Sequence, residues 1–263
     1  MTETAHPQSG SEKACDEFLL INHNNTRTKF ALASRRTGDF SPPRCLQSTE
    51  LTASSLGKLL EGWSWEKVVL ASVVPKNVPD ILESQSGKSI VEVSSEIELG
   101  ITVDFPDTSA VGADRLANAC AVADRAKNQQ PVIVVDFGTA VTFDIVDTRP
   151  AYIGGVIAPG LDSMREYLHL RTALLPLIEL KPPDSAIGRT TEQAMLSGAF
   201  HGYRGLVREI ISQIEKQLGK SAKVIATGGY ADLISRDLPE IHSVDPTLTM
   251  AGLQKIALLN FSK

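Results

Sequence analysis

The sequence predicts an α/β protein of two duplicated domains with a ligand cleft between them, and three observations carry that prediction. Apolar runs of strand length alternate with stretches of helical spacing along the 263 residues. The opening of the chain, 18–33, returns in outline at 131–146. Each copy is an apolar run, a polar turn and an alternating run, which is how two hairpin-linked strands read in sequence.

In the first copy a strand at 18–21 stops at Asn22, His23, Asn24 and Asn25 and resumes at 26–33. Pro42 and Pro43 interrupt the chain before a third strand at 44–48. A helix at 53–61, a buried-type strand at 68–71, another helix and a strand at 89–93 follow. Leu116, Ala119, Cys120 and Ala123 recur at helical spacing and predict a helix over 113–127. The second copy opens with a strand at 131–135 that leads into Asp136, Phe137, Gly138 and Thr139, and 142–146 alternates again. A strand at 151–157, a helix after Gly160, a long helix at 191–218, a strand at 223–226 and a last helix at 248–259 complete it. Superposing the two hairpins sets Asn22 on Asp136, Asn24 on Gly138 and Asn25 on Thr139. The expected divisions are a flexible tail at 1–17, one domain at 18–128 and a second at 129–263.

Composition narrows the function classes. Apolar residues make up 42% and charged residues 22%, and no apolar run approaches the roughly 20 residues of a membrane span. With 26 Lys plus Arg against 31 Asp plus Glu, the chain has no basic footprint for nucleic acid. Cys15, Cys45 and Cys120 lie far apart without a CxxC spacing, which argues against a zinc site or disulfide framework and for a reducing cytoplasm. The first seventeen residues are polar and lack the apolar centre of a signal peptide.

Three short motifs can carry chemistry, and each has an ordinary structural alternative. In Asp136-Phe137-Gly138-Thr139, Gly138 lets a phosphate approach the backbone, Thr139 can donate to it, and Asp136 can hold a cation or its waters. The alternative is a plain hairpin. Gly112-Ala113-Asp114-Arg115 sets an acid and a base at a helix start, as proton acceptor and carboxylate clamp or as a surface ion pair. Gly228 and Gly229 follow a strand and precede a helix, so they admit a nucleoside face or simply form a tight turn.

The order of the pieces is more specific than any one of them. From 18 to 261 the chain resembles type III pantothenate kinases, in LLINHNNTRTKFAL, ASVVP, VGADRLANA, VVDFGTAVTFD, GGVIAPGL, RTALLP, GRTTEQAMLSGAFHGYRGLV and VIATGGYADLI. The resemblance implies two ribonuclease H-like domains of the actin-like ATPase type. It implies ATP-dependent phosphorylation of pantothenate to 4′-phosphopantothenate, the first step of coenzyme A synthesis, with Mg2+ and a monovalent cation, K+ or NH4+. By position it makes Asp114 the general base and Arg115 the grip on the pantothenate carboxylate, with Gly112 beside them. Asp136 takes the place of the monovalent-cation ligand. Asn22, Asn25, Thr26, Gly138 and Thr139 fall at the phosphates, and Gly228 and Gly229 at the nucleoside. Thr191 matches a residue that reaches pantothenate across a subunit interface, which implies a homodimer with a shared site; the composition above adds a cytoplasmic setting with neither nucleic-acid nor membrane partners. One loop departs from the pattern: Asp-x-Gly-Asn-Thr is here Asn22-His23-Asn24-Asn25-Thr26. The lost acid implies weakened magnesium-dependent turnover and opens a second reading, a regulatory homologue that binds pantothenate or nucleotide without catalysis. Asn24 is expected to keep the loop shape in left-handed geometry, and His23 to be a strand or turn residue with a satisfied ring rather than a metal ligand.

Overall fold

The computed structural model describes residues 17–127 and 130–261. The expected tail therefore lies outside the described residues except for Glu17, which opens a strand instead, and the expected boundary at 128/129 lies outside them too.

The first half contains β1 (Glu17–His23), β2 (Arg27–Ser34), β3 (Arg44–Gln47), α1 (Ala53–Leu59), β4 (Lys67–Ser72), α2 (Val78–Ser84), β5 (Ser89–Glu92), β6 (Thr102–Val103) and α3 (Ala113–Ala126). The second contains β7 (Val132–Phe137), β8 (Ala140–Asp147), β9 (Ala151–Pro159), α4 (Leu161–Arg171), α5 (Thr191–Ser197), α6 (Tyr203–Leu218), β10 (Lys223–Gly228), α7 (Ala231–Ser235), β11 (Ser243–Val244) and α8 (Leu248–Phe261). One sheet runs β3-β2-β1-β4-β5 and the other β9-β8-β7-β10-β11, with β6 added outside β9. In both, the first strand is antiparallel to the second and parallel to the fourth. This is one topology used twice, and the weak sequence repeat marks its two starting hairpins.

The central strands explain the unbroken apolar runs. Leu19, Leu20 and Ile21 of β1 and Val132 to Val135 of β7 are fully buried, because β1 and β7 have neighbours on both edges and packing on both faces. α3 and α8 follow the fifth strand of each sheet and pack on one another. Gly252 permits this: a side chain there would run into the Ala117 carbonyl. α8 also lies on β1 and β4, so the end of the chain closes the core of its beginning, while β6 lends a strand in the other direction.

Several expected bounds move. β1 runs on through Asn22 and His23, which are paired with Lys29 and Thr28 rather than forming a turn. The expected long helix is split into α5 and α6 by a π-helical turn at Gly198–Gly202, whose terminal glycines relax the backbone. β6 and β11 hold two residues each, too few to show a period.

Candidate active site

The two starting hairpins meet at their tips. The Asn24 N–H donates to the Arg27 carbonyl at 3.2 Å and the Gly138 N–H to the Ala140 carbonyl at 3.1 Å. The hydroxyls of Thr26 and Thr139, 113 residues apart in sequence, lie 2.8 Å from each other. Turn 24–27 is one residue longer than turn 138–140, so Thr26 rather than Asn25 faces Thr139, a shift from the simple superposition of the repeat. Asn25, Thr26, Gly138 and Thr139 are all exposed and open to a ligand. Gly138 does not have a left-handed φ, and a Cβ there would meet nothing closer than the Ala140 carbonyl at 3.4 Å. Behind the second tip, Gly160 packs on the carbonyls of Gly138 and Thr139, and the Ser163 hydroxyl donates to the Thr139 carbonyl at 3.0 Å.

Asp136 stands near the end of β7. Its Oδ2 accepts from Asn118 Nδ2 at 3.2 Å, and Asn118 Oδ1 in turn accepts from the Thr249 hydroxyl at 2.8 Å, so α3 and α8 together aim the carboxylate. Burial, and after it the charge of Asp114, pushes Asp136 up to about 6, against the opposing pull of Asn118 and Lys29. Gly228 adopts a φ of 94°, and a side chain there would strike Asp136 and Phe137; this glycine serves strand packing. Gly229 has open space around it and is the one of the pair that leaves room for a nucleoside. On the first hairpin, the buried Asn22 Oδ1 and Asn24 Oδ1 have no protein partner among the described residues. The His23 ring is only half satisfied: Nδ1 lies 2.7 Å from the Thr28 hydroxyl, Nε2 has no partner among the described residues, and burial lowers its pKa.

Asp114 and Arg115 occupy the first turn of α3, where the free N–H groups of the helix favour an acid. The Asp114 carboxylate accepts from the Arg115 N–H at 2.8 Å, and a side chain at Gly112 would press on it. Burial raises the Asp114 pKa, with Arg115 opposing. Arg115 does not pair with Asp114 through its guanidinium. Its Nε donates to Asp144 Oδ1 at 2.6 Å, a fully buried acid on β8. Burial works against the Arg115 charge, yet Asp144, Tyr152 and Asp114 together outweigh it and the pKa stays above the ordinary value. Asp114, Asp136 and Asp144 thus form one coupled acidic group on α3, β7 and β8. Thr191 begins α5 and is exposed; its side chain makes no hydrogen bond among the described residues, so one chain does not join it to the rest of the site.

A sequence profile for type III pantothenate kinases matches residues 18–213. The type III pantothenate kinase of Akkermansia muciniphila is 46% identical over 92% of this chain and 99% of its own length. That of Methylacidiphilum infernorum is 37% identical over 91% of this chain and 87% of its own. The chain belongs to the type III pantothenate kinase family. Solved structures extend the likeness of fold. The activator of the 2-hydroxyisocaproyl-CoA dehydratase from Clostridium difficile, with bound ADPNP, superposes at a TM-score of 0.53 with 13% identity, covering 94% of each chain. The ethanolamine utilization protein EutJ from Carboxydothermus hydrogenoformans does so at 0.52 with 11% identity, covering 92% of this chain and 89% of its own. The architecture is the actin-like ATPase fold with two ribonuclease H-like halves.

Within this type III pantothenate kinase fold, Asn118, Asp144 and Thr249 hold the site together without having been singled out from sequence. Asn118 and Asp144 sit inside the family-like stretches VGADRLANA and VVDFGTAVTFD, and that placement was the available signal. Among the described residues no group of three or more His, Cys, Asp and Glu is arranged as a metal cage. One carboxylate, Asp136, and the unpartnered oxygens of Asn22 and Asn24 fit a cation that completes its shell with phosphate oxygens and water.

Proposed function

We propose that this chain transfers the γ-phosphoryl group of ATP to the 4′-hydroxyl of pantothenate, the first step of coenzyme A synthesis. The observation that carries the reading is the meeting of two phosphate-type turns, at Thr26 and Thr139, in a molecule whose coupled acids Asp114 and Asp136 are set on α3 and β7. Arg115 grips the pantothenate carboxylate. Asp114, made more basic by burial, accepts the hydroxyl proton as the new O–P bond forms and the bond from the γ-phosphorus to the bridging oxygen breaks. Asn25, Thr26, Gly138 and Thr139 donate to the phosphates, and the nucleoside lies over Gly229, with Gly228 packed behind it. Asp136, Asn22 and Asn24 would hold the cations, Mg2+ with the nucleotide and K+ or NH4+ beside it. A bound cation would neutralise charge on the transferring group.

The working unit in this reading is a homodimer in the cytoplasm. Tyr167, Leu168 and Leu170 on α4, and Leu174, Leu177 and Ile187 on the segment leading to Thr191, are exposed apolar residues in one stretch of chain. A second copy covering them would bring Thr191 to its neighbour's pantothenate, which supports a shared site. A coupled assay with ATP, pantothenate, Mg2+ and K+ or NH4+ tests the reading. Phosphopantothenate formation is expected; pantothenate binding with no product would overturn the kinase assignment.

A further inference from the structure

Arg115 has two edges that can meet a carboxylate, and the fold uses one of them. Nε donates to Asp144 Oδ1 at 2.6 Å, and Nη2 on the same edge lies 3.5 Å from the Phe143 carbonyl. Tyr152 underlies the guanidinium with its ring centroid 5.7 Å away, and Gly155 admits Nη2 where any side chain would collide with it. Asp144 is itself fixed. The Thr142 hydroxyl donates to its Oδ2 at 3.3 Å and the Tyr152 hydroxyl to its Oδ1 at 3.5 Å. The guanidinium plane is therefore set from below, from one side and by the backbone. What remains is the outer edge formed by the two terminal nitrogens.

We propose that Asp144 is a positioning residue for substrate specificity: by occupying the Nε edge of Arg115 it presents the outer edge, end-on, to the substrate carboxylate. The inference rests on the kinase reading above and adds a residue that never touches substrate. An arginine without this anchor would swing among rotamers and lose its two-pronged geometry. The effect belongs to carboxylate recognition more than to phosphoryl transfer, so it falls first on the KM for pantothenate and leaves the KM for ATP in place.

The test uses the full-length protein and three variants, Asp144→Ala, Asp144→Asn and Thr142→Val, each checked for folding by thermal melting. Binding and steady-state kinetics are measured with pantothenate and with pantothenol, which has a hydroxyl in place of the carboxylate. Asp144→Ala is expected to raise the pantothenate KM roughly 10- to 100-fold, the range for a hydrogen bond to a charged group, and to leave pantothenol nearly unchanged. Asp144→Asn keeps an acceptor for Nε and should restore part of the loss. Thr142→Val, which leaves the ion pair in place and decides the matter if Asp144→Ala does not fold, should give a smaller rise for pantothenate alone. Equal losses for the two ligands, or an unchanged pantothenate KM in the variants that fold, overturns the role of Asp144. A natural chain that neither binds nor phosphorylates pantothenate overturns the kinase reading, and this proposal with it.

Discussion

At the scale of single residues the site is a balance of buried acids. Asp114→Asn keeps the shape and removes the proposed proton acceptor, so kcat should drop by about 10²- to 10⁴-fold with little change in pantothenate affinity. The same variant should melt higher than the natural protein at pH 8. Because burial raises the folded-state pKa of Asp114, its ionised form destabilises the fold at high pH, and that penalty fades as the carboxyl protonates on acidification. Melting curves from pH 8 down to pH 4 check the sign: the margin of the Asn variant should shrink toward acid. Asn22→Asp restores an acid beside the unpartnered oxygens and opposite Lys29. Turnover should rise most at limiting magnesium; equal rates across a magnesium titration would mean that the amide already suffices. Asp114 and Arg115 were legible in sequence as an acid and a base at a helix start. Asp144 was not, because an inward-facing acid in an alternating strand looks like any solvent-facing one until the tertiary fold buries it.

At the scale of elements, the hairpins were the readable part. Their apolar runs and polar turns follow from local rules, and β1 outran its expected end only because Asn22 and His23 are polar residues that a central strand nevertheless buries. The two-residue strands β6 and β11 and the π-helical turn between α5 and α6 depend on distant pairing or on backbone relaxation, neither of which a hydrophobic period encodes. α4 makes its own prediction. Leu170 is 77% exposed and Leu174 just beyond the helix is 89% exposed, so Leu170→Asp with Leu174→Asp should leave the single-chain fold intact while preventing self-association. Sedimentation should then give a monomer, and pantothenate binding should be lost with the proposed dimer. A monomer that binds as tightly as the natural protein would remove Thr191 from the neighbour's site.

At the scale of the whole molecule, the duplication fixes more than the catalytic detail does. The same five-strand order appears in both sheets, and α3 and α8, the last helix of each half, pack on one another. The expectation of two domains with a cleft rested on two hairpins and a sequence of helices. The crossing of α8 back onto the first sheet was invisible to it, since nothing local in 248–261 says which sheet that helix covers. Gly252→Ala should test how far this core depends on close approach. The new methyl meets a backbone carbonyl, which cannot rotate away as a side chain can, and the strain should cost about 1–3 kcal/mol in a urea denaturation. A variant as stable as the natural protein would mean that the helices separate easily.

The contact of Gly252 with Ala117 also determines what kinds of motion are open to the two halves. Side chains that interlock can be exchanged for one another and let helices slide, whereas main chain pressed on main chain offers nothing to exchange. Sliding is thereby resisted, and rolling about the touching point is the softer mode. Such a pivot behaves as a lever: displacement is least at the helix contact and grows with distance from it. The Thr26 and Thr139 tips belong to opposite sheets, so roll about this contact is the motion that would part their two hydroxyls. In the proposed kinase, admission of nucleotide would then depend on the torsional stiffness of a joint built by residues that never meet it.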